Sequence, residues 1–301
     1  MKCIEFDSIK LKIGNNLILD NITFNVDAGD IYGLIGHNGA GKTSLIKILL
    51  GLINSYSGEI KIFSDRRIEL QRCRIGSVID SLGIDSNLTA EQYVHRICRM
   101  TGRLSPEIEK KTLCKVGLSD TGRKKIKNFS LGMQKRLMIA GALVSQPDLL
   151  VLDEPFNGID PEGMAELRLL LQQLSAEGIT VLITSHNIPE LLKLANKFGI
   201  MHMGNFICEI SETELANSQK FKTVFSTGAP QQLVSVIKKL FPDIDCYANS
   251  PREISVFQRL DDAQRKLLNS VVPDDIVTCV SVSTMNEEEF LLWKMNGHTE
   301  S

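Results

Sequence analysis

The 301-residue sequence has no C-x-x-C pair, no internal repeat, no excess of either charge and no apolar run long enough to cross a bilayer. Its seven cysteines, at positions 3, 73, 98, 114, 208, 246 and 279, are scattered and odd in number, which argues against a disulfide framework and a zinc site and fits a reducing cytosol. The longest largely apolar stretches, 45–53 and 137–144, fall well short of the roughly 18 residues that span a membrane. Met1-Lys2-Cys3-Ile4-Glu5-Phe6-Asp7 carries acids where a signal peptide has its apolar region, so the chain reads as soluble. Lys+Arg 34 against Asp+Glu 36 leaves a net charge of −2, so no global field draws it to nucleic acid or an anionic membrane. Any polyanion must be held by a local site. What is present is a composition 43% hydrophobic and 23% charged, enough to bury a sizeable core and to divide into a large and a smaller domain.

The first sixty residues alternate as strands do, over Ile9–Ile13, Leu17–Val26 and Gly58–Ile62, and predict an antiparallel edge sheet. Among them a continuous apolar strand, Ile31-Tyr32-Gly33-Leu34-Ile35, runs into a glycine-rich turn and an amphipathic helix, Ser44–Leu50, closed by Gly51. From about 87 to 128 the pattern is helical, with Thr89 and Gln92 forming a capping box and Ser105-Pro106 opening a second helix. Leu149-Leu150-Val151-Leu152 and Ile179–Ile183 are buried strands flanking a helix at 161–177, which predicts a parallel sheet covered on both faces. From about 220 a small α+β region follows: strand Phe221–Ser226, helix Pro230–Phe241, strands near Cys246 and Val256, helix Asp261–Ser270, strand Val277–Val282 and helix Glu287–Met295. The expected fold class is α/β, with a large domain over 1–210, a helical subdomain at about 85–140 inside it, and an accessory α+β domain over 211–301.

Gly36-His37-Asn38-Gly39-Ala40-Gly41-Lys42-Thr43 matches G-x-x-x-x-G-K-[ST], between a buried strand and a helix. Its glycines let successive backbone N–H groups curl round a phosphate chain, and the helix that starts at the loop's end, with Ser44, adds the positive end of its dipole. Lys42 is placed to reach the β- and γ-phosphates and Thr43 to bind Mg²⁺. At the carboxyl end of the second buried strand stand Asp153 and Glu154. Asp153 is suited to hold Mg²⁺, directly or through water, and Glu154 to polarise the attacking water. There is no N-K-x-D guanine signature.

Phe129-Ser130-Leu131-Gly132-Met133-Gln134-Lys135-Arg136 opens an apolar helix upstream of the acidic strand. Here the sequence resembles the nucleotide-binding subunit of ABC transporters, whose signature segment begins this way. Pro155, the D-loop Asn157-Gly158-Ile159-Asp160, and Thr184-Ser185-His186 with the switch histidine follow in family order, so the resemblance covers about residues 1–210. It implies an ATPase whose two cassettes associate head to tail, each ATP lying between the phosphate loop of one and Ser130, Leu131, Gly132 and Met133 of the other. His186 is then expected to contact the γ-phosphate and to stabilise transition-state charge or position the water. Leu131 and Met133 stand where the signature usually has Gly and Gln, a variation that recurs in antibiotic-resistance and lantibiotic-immunity exporters. The Q-loop position after Arg74–Ile79 is Asp80, an acid as in bacitracin-type cassettes, and a further expected contact to Mg²⁺. Ile13, before Gly14, occupies the place of the aromatic that stacks on adenine, so weak base selectivity is expected.

The resemblance thus implies an exporter subunit for a drug, peptide antibiotic or lipid-like cargo, cytoplasmic and peripheral on the inner face of the membrane. Its partners are separately encoded permease subunits and a second cassette, either this chain again or a paralogue; nucleic acid is not among them. A soluble non-transport ABC ATPase is the alternative, but the paired cassettes of translation-type members and the coiled-coil insertion of repair-type members are missing. An ATP-gated regulatory dimer is opposed by Glu154 and His186, which fill both turnover positions. The basic run Arg123-Lys124-Lys125-Ile126-Lys127 reads as a solvated surface, and Phe290 to Trp293 as the core face of a helix.

Overall fold

The structure, a computed structural model, describes residues 1–79, 84–217, 221–242, 244, 246–257, 260–272 and 276–295. It divides into two compact units, Met1–Glu212 and the remainder from Thr213. In chain order the first unit contains β1 (Lys2–Ile13), β2 (Asn16–Asp27), β3 (Ile31–Ile35), α1 (Lys42–Leu49), β4 (Ser57–Ile62), α2 (Ile68–Gln71), β5 (Ile75–Val78), α3 (Ala90–Met100) and α4 (Pro106–Lys115). There follow α5 (Leu131–Leu143), β6 (Leu149–Asp153), α6 (Pro161–Ala176), β7 (Thr180–Ser185), α7 (Ile188–Leu192), β8 (Lys197–His202) and β9 (Asn205–Ser211).

Two sheets organise this unit. One is antiparallel in the order β2-β1-β4; the other has the order β5-β6-β7-β3-β8-β9 and is parallel except for its edge pair β8–β9. β3, β6 and β7 are buried along their whole length, as continuous apolar runs of a covered parallel sheet must be. A core containing Phe6, Phe24, Tyr32, Leu34, Leu45, Ile48, Leu149 and Leu182 joins both sheets to α1. The antiparallel sheet is longer than its alternation predicts, since β1 begins at Lys2. Its pairing shifts between Phe6, opposite Phe24, and Ile9, opposite Ile22, with Ser8 at φ 52. Two buried residues three apart hide a strand from a period-two reading.

The helical region forms as its caps dictate. Thr89 accepts from Gln92 N while Gln92 reaches back to Thr89 N, and Ser105 caps α4 with Pro106 in its first turn. The basic run is exposed at Arg123, Lys124, Lys125 and Lys127 and anchored by buried Ile126, as expected. Among the described residues no helix is long and apolar enough to cross a membrane.

The second unit contains α8 (Glu212–Ala216, which spans the division), β10 (Phe221–Thr227), α9 (Pro230–Leu240), β11 (Cys246–Ser250), β12 (Glu253–Val256), α10 (Asp262–Val271), β13 (Val277–Thr284) and α11 (Glu287–Met295). Its sheet order β11-β12-β10-β13, all antiparallel, with α9 and α10 as crossovers, is a split β-α-β of the ferredoxin-like kind. The core gathers Phe225, Leu233, Ile237, Ile254, Val256 and Leu268. Phe290, Leu291 and Met295 are buried on α11, while Lys222 of β10 ion-pairs with Glu289, so this stripe is a packed face.

Candidate functional site

The site grows from the end of β3. Gly36 leaves the strand where a Cβ would meet the Met201 carbonyl oxygen at 2.6 Å, so only glycine fits. Gly39 and Gly41 take φ of 87° and 100°, the left-handed region glycine enters without penalty. Gly41 caps α1 without a side-chain hydrogen bond, and the helix has no acid in its first turn. The opening N–H groups and positive dipole end are therefore free of any competing anion from α1 itself. Lys42, only 5% exposed, donates from Nζ to the Gly36 carbonyl at 2.5 Å and the His37 carbonyl at 3.3 Å. The ammonium lies 3.4 Å from Glu154 Oε1.

Opposite the loop, β6 delivers the two acids. Asp153 is buried, accepting at Oδ2 from Thr43 Oγ1 at 2.9 Å and at Oδ1 from Thr184 Oγ1 at 2.5 Å. Thr184 sits at the end of β7, in register with Asp153 on one side and Leu34 on the other, so one hydroxyl ties the acidic strand to its neighbour. Glu154 turns out of the strand at φ 48°, its N–H held by the Thr184 carbonyl and hydroxyl oxygens, each at 3.1 Å. Its Oε2 lies 2.9 Å from His186 Nδ1 and 3.3 Å from His186 N, while Oε1 is buried and makes no hydrogen bond. A non-glycine residue held in this sparsely populated conformation, with an oxygen that has the Lys42 ion pair but no hydrogen bond, marks a place where stability is given up for chemistry.

Loop and acids line a cleft of about 790 Å³, together with Ile18, His37, Asn38, Ala40, Ser44, Lys47, Leu52, Ile79 and Asn157. This cleft gathers Gly39, Gly41, Lys42, Thr43, Asp153 and Glu154 of the expected set, with His186 behind Glu154. Ile13 is not in its lining: it stands at the β1–β2 turn, 55% exposed, and Ile18 is the β2 residue that faces the cleft. Asp80 lies outside the described residues. Thr184 and Ile18 escaped sequence reading because their roles depend on strand register. The only local signal for Thr184 was its place two residues before His186.

The signature segment is not in the cleft lining. Ser130 is exposed and caps α5, accepting from Met133 N at 3.2 Å; Leu131 is 43% exposed. Gly132 is buried where a Cβ would lie 3.3 Å from the Gly163 Cα and 3.4 Å from Ile159 Cγ2. Asp160, exposed, caps α6 without a side-chain hydrogen bond. Arg136 of α5 bonds the Val116 carbonyl at 3.2 Å and pairs with Glu166 of α6 at 2.9 Å, so the helix that carries the signature is tied to the helix that follows the D-loop.

A glycine loop leading into an uncapped helix, facing a hydroxyl-bound acid at the end of a covered parallel sheet, defines a P-loop nucleoside-triphosphate-binding cassette. Comparison with known proteins narrows this class. Residues 19–157 match the ABC transporter family model. The bacitracin transport ATP-binding protein BcrA of Enterococcus faecalis is 37% identical over 98% of this chain and 96% of its own length. The lantibiotic transport ATP-binding protein SrtF of Streptococcus pyogenes is 38% identical over 74% of this chain and 96% of its own. A crystal structure of a nucleotide-free ATP-binding cassette from an ABC transporter superposes with a TM-score of 0.65 at 25% identity, covering 72% of this chain and 94% of that one. The chain belongs to the ABC transporter family, as an ATP-binding, ATP-hydrolysing subunit.

Proposed function

We propose that this subunit powers export of a peptide antibiotic or a similar amphiphilic drug through separately encoded permease subunits, and that it works as a dimer closed around ATP at the inner face of the membrane. The observation that carries this reading is the extent of the likeness to BcrA, which runs through the accessory unit as well as the cassette. The regions 1–210 and 211–301 serve in it as motor and accessory domain, with 85–140 as the helical subdomain. The cleft residues act on the chain's own nucleotide. Ser130, Leu131, Gly132 and Met133 present the N-terminus of α5 to the nucleotide of the opposite subunit, and Asp160 lies at that interface.

Mg²⁺ suits the donors present: Thr43 and Asp153 offer one hydroxyl and one carboxylate, and among the described residues no His, Cys, Asp and Glu cluster builds an all-protein cage. Held there, the ion would neutralise charge on the phosphates; residue 80 is a further carboxylate for it. The chain's own residues do the rest. Loop N–H groups and Lys42 bind the phosphates, Thr184 fixes Asp153, and Glu154 Oε1 accepts a proton from the attacking water while His186 orients the carboxylate. The test is deletion of the encoding gene in its host. Susceptibility to bacitracin or a lantibiotic should rise, and complementation by wild type but not by Glu154→Gln should restore resistance. Unchanged susceptibility to both drug classes would reject the cargo assignment.

A further inference from the structure

The near-zero net charge hides a segregation. Residues 85–140 hold twelve Lys and Arg against five Asp and Glu, whereas residues 141–212 of the same unit hold three against ten. The helical subdomain is therefore a cationic body set against an acidic stretch. Of its five acids, Asp85 already faces Arg96 at 3.8 Å and Glu109 faces His95 at 2.8 Å, which leaves Glu91, Glu107 and Asp120. Its cations are densest at Arg123, Lys124, Lys125 and Lys127. All four are exposed, and among the described residues none of them forms an ion pair. Backbone bonds hold the run in place: Ile126 N donates to the Leu88 carbonyl and Lys127 N to the Ser86 carbonyl, each at 2.9 Å, and Lys124 N to the Thr121 carbonyl at 3.1 Å. Ile126, 1% exposed, anchors the run in the core. Four cations within five residues are thus presented outward on an ordered loop, and little backbone entropy remains to be lost when they meet a counter-charge.

The kind of counter-charge follows from the side chains. Three of the four are Lys, compact charges on flexible stems, which suit a field of separate phosphates better than bidentate docking on one carboxylate. A nucleic-acid base has nothing to stack on, since Phe129, the aromatic residue beside the run, is buried and lies 5.6 Å from Lys124 Nζ. From Arg123 to Asn128 the exposed side chains are four cations and one amide, with none of the aromatic or apolar anchors that carry contacts between proteins. We propose that this run docks the cassette directly on anionic phospholipid headgroups, beside the permease and not only through it. The stretch 141–212 is repelled by the same surface, so the contact also turns the helical subdomain towards the bilayer. The attraction reaches about one Debye length, roughly 10 Å at 0.1 M salt and 3 Å at 1 M, and contributes about fivefold in partitioning for each cation at the surface.

The experiment uses the full chain without nucleotide or permease, so its outcome is independent of the cargo and catalytic readings above. The chain is floated with vesicles of phosphatidylcholine alone or of phosphatidylcholine with one third phosphatidylglycerol. Binding is expected on the anionic vesicles at about 0.1 M salt, is lost at about 1 M, and is absent on phosphatidylcholine. The combined variant Arg123→Gln, Lys124→Gln, Lys125→Gln, Lys127→Gln should partition on the order of 10² times more weakly, with basal ATPase unchanged. A control that removes four exposed charges elsewhere, Lys12→Gln, Lys238→Gln, Lys239→Gln, Lys266→Gln, should bind as wild type does. Equal loss in the two variants would assign the binding to net charge and overturn the inference. Equal binding of the wild-type chain to both vesicles, or binding to neither, overturns it without any variant having to fold. If neither vesicle binds and the combined variant still fails to restore resistance in the deletion strain, the run answers to a protein partner instead.

Discussion

At the scale of single residues, the site is a short circuit of groups that hold one another. Glu154 is pinned at its N–H by Thr184 and at Oε2 by His186, which leaves Oε1 as the one basic oxygen without a hydrogen bond. Replacing that oxygen with an amide should spare phosphate binding while removing the proton acceptor. Glu154→Gln is therefore expected to lower ATP hydrolysis by about 10²–10⁴ and to accumulate as an ATP-bound dimer on size-exclusion chromatography with Mg-ATP. A variant that stays monomeric and hydrolyses at the wild-type rate would contradict the assignment. Lys42→Ala removes the cation that the loop holds against its own carbonyls, and calorimetry should show ATP affinity lost. Thr184→Val keeps shape but leaves a buried Asp153 oxygen without its donor. The expected cost is about 1–3 kcal/mol in urea unfolding, with reduced ATPase; unchanged stability and activity would show that the Thr184 hydroxyl is dispensable. The loop and both acids were legible because each motif is local in sequence. Thr184 was not, because its partner lies across β6–β7 and only register brings them together.

Elements show the same division. The loop between β3 and α1 follows from a strand that ends in glycines and a helix that starts without a cap. The capped helices α3 and α4 were equally readable, because capping is chemistry within four residues. β8 and β9 were not anticipated. β8 is a six-residue run broken by Gly199, turned by Met203 and Gly204 at positive φ into β9, whose exposed and half-buried residues give no clean alternation. β8 is specified by pairing with β3, a non-local cause, and β9 by pairing back on β8. The crossing of α5 and α6 is non-local too, and it carries a prediction. A Cβ at Gly163 would lie 2.6 Å from Ile159 Cγ2 and 2.9 Å from Asp160 Oδ1, so Gly163→Ala must displace the D-loop segment. The phosphate loop is untouched. We expect ATP affinity to be retained, stability to fall by about 1–3 kcal/mol, and ATPase to drop because Asp160 and Gly132 shift together. Wild-type ATPase in this variant would mean the D-loop tolerates the shift.

For the whole molecule, each unit has a hydrophobic core of its own, one containing Cys3 and the other Cys246, and both thiols are buried. Burial pushes the Cys3 thiol up to about 11, which suppresses the reactive thiolate at neutral pH. Cys98, buried on α3, is raised for the same reason. Cys73, Cys114 and Cys279 are exposed and should label within the first minutes. The buried thiols then report unfolding of the unit that holds them. The smaller core offers less buried area against chain entropy, so Cys246 should become reactive at lower urea than Cys3 and Cys98. Nucleotide binds only the first unit in this scheme. Mg-ATP at 100 times its Kd, with the Glu154→Gln chain to prevent turnover, adds about 2.7 kcal/mol to that unit. With a urea slope of about 1–3 kcal/mol/M, the Cys3 and Cys98 midpoints should rise by roughly 1–3 M while the Cys246 midpoint stays in place. Mass spectrometry of labelled peptides across a urea series reads all three sites at once. A single midpoint for all three, moved as one by Mg-ATP, would show that the two cores unfold as one cooperative body and that the division at Glu212 has no thermodynamic meaning.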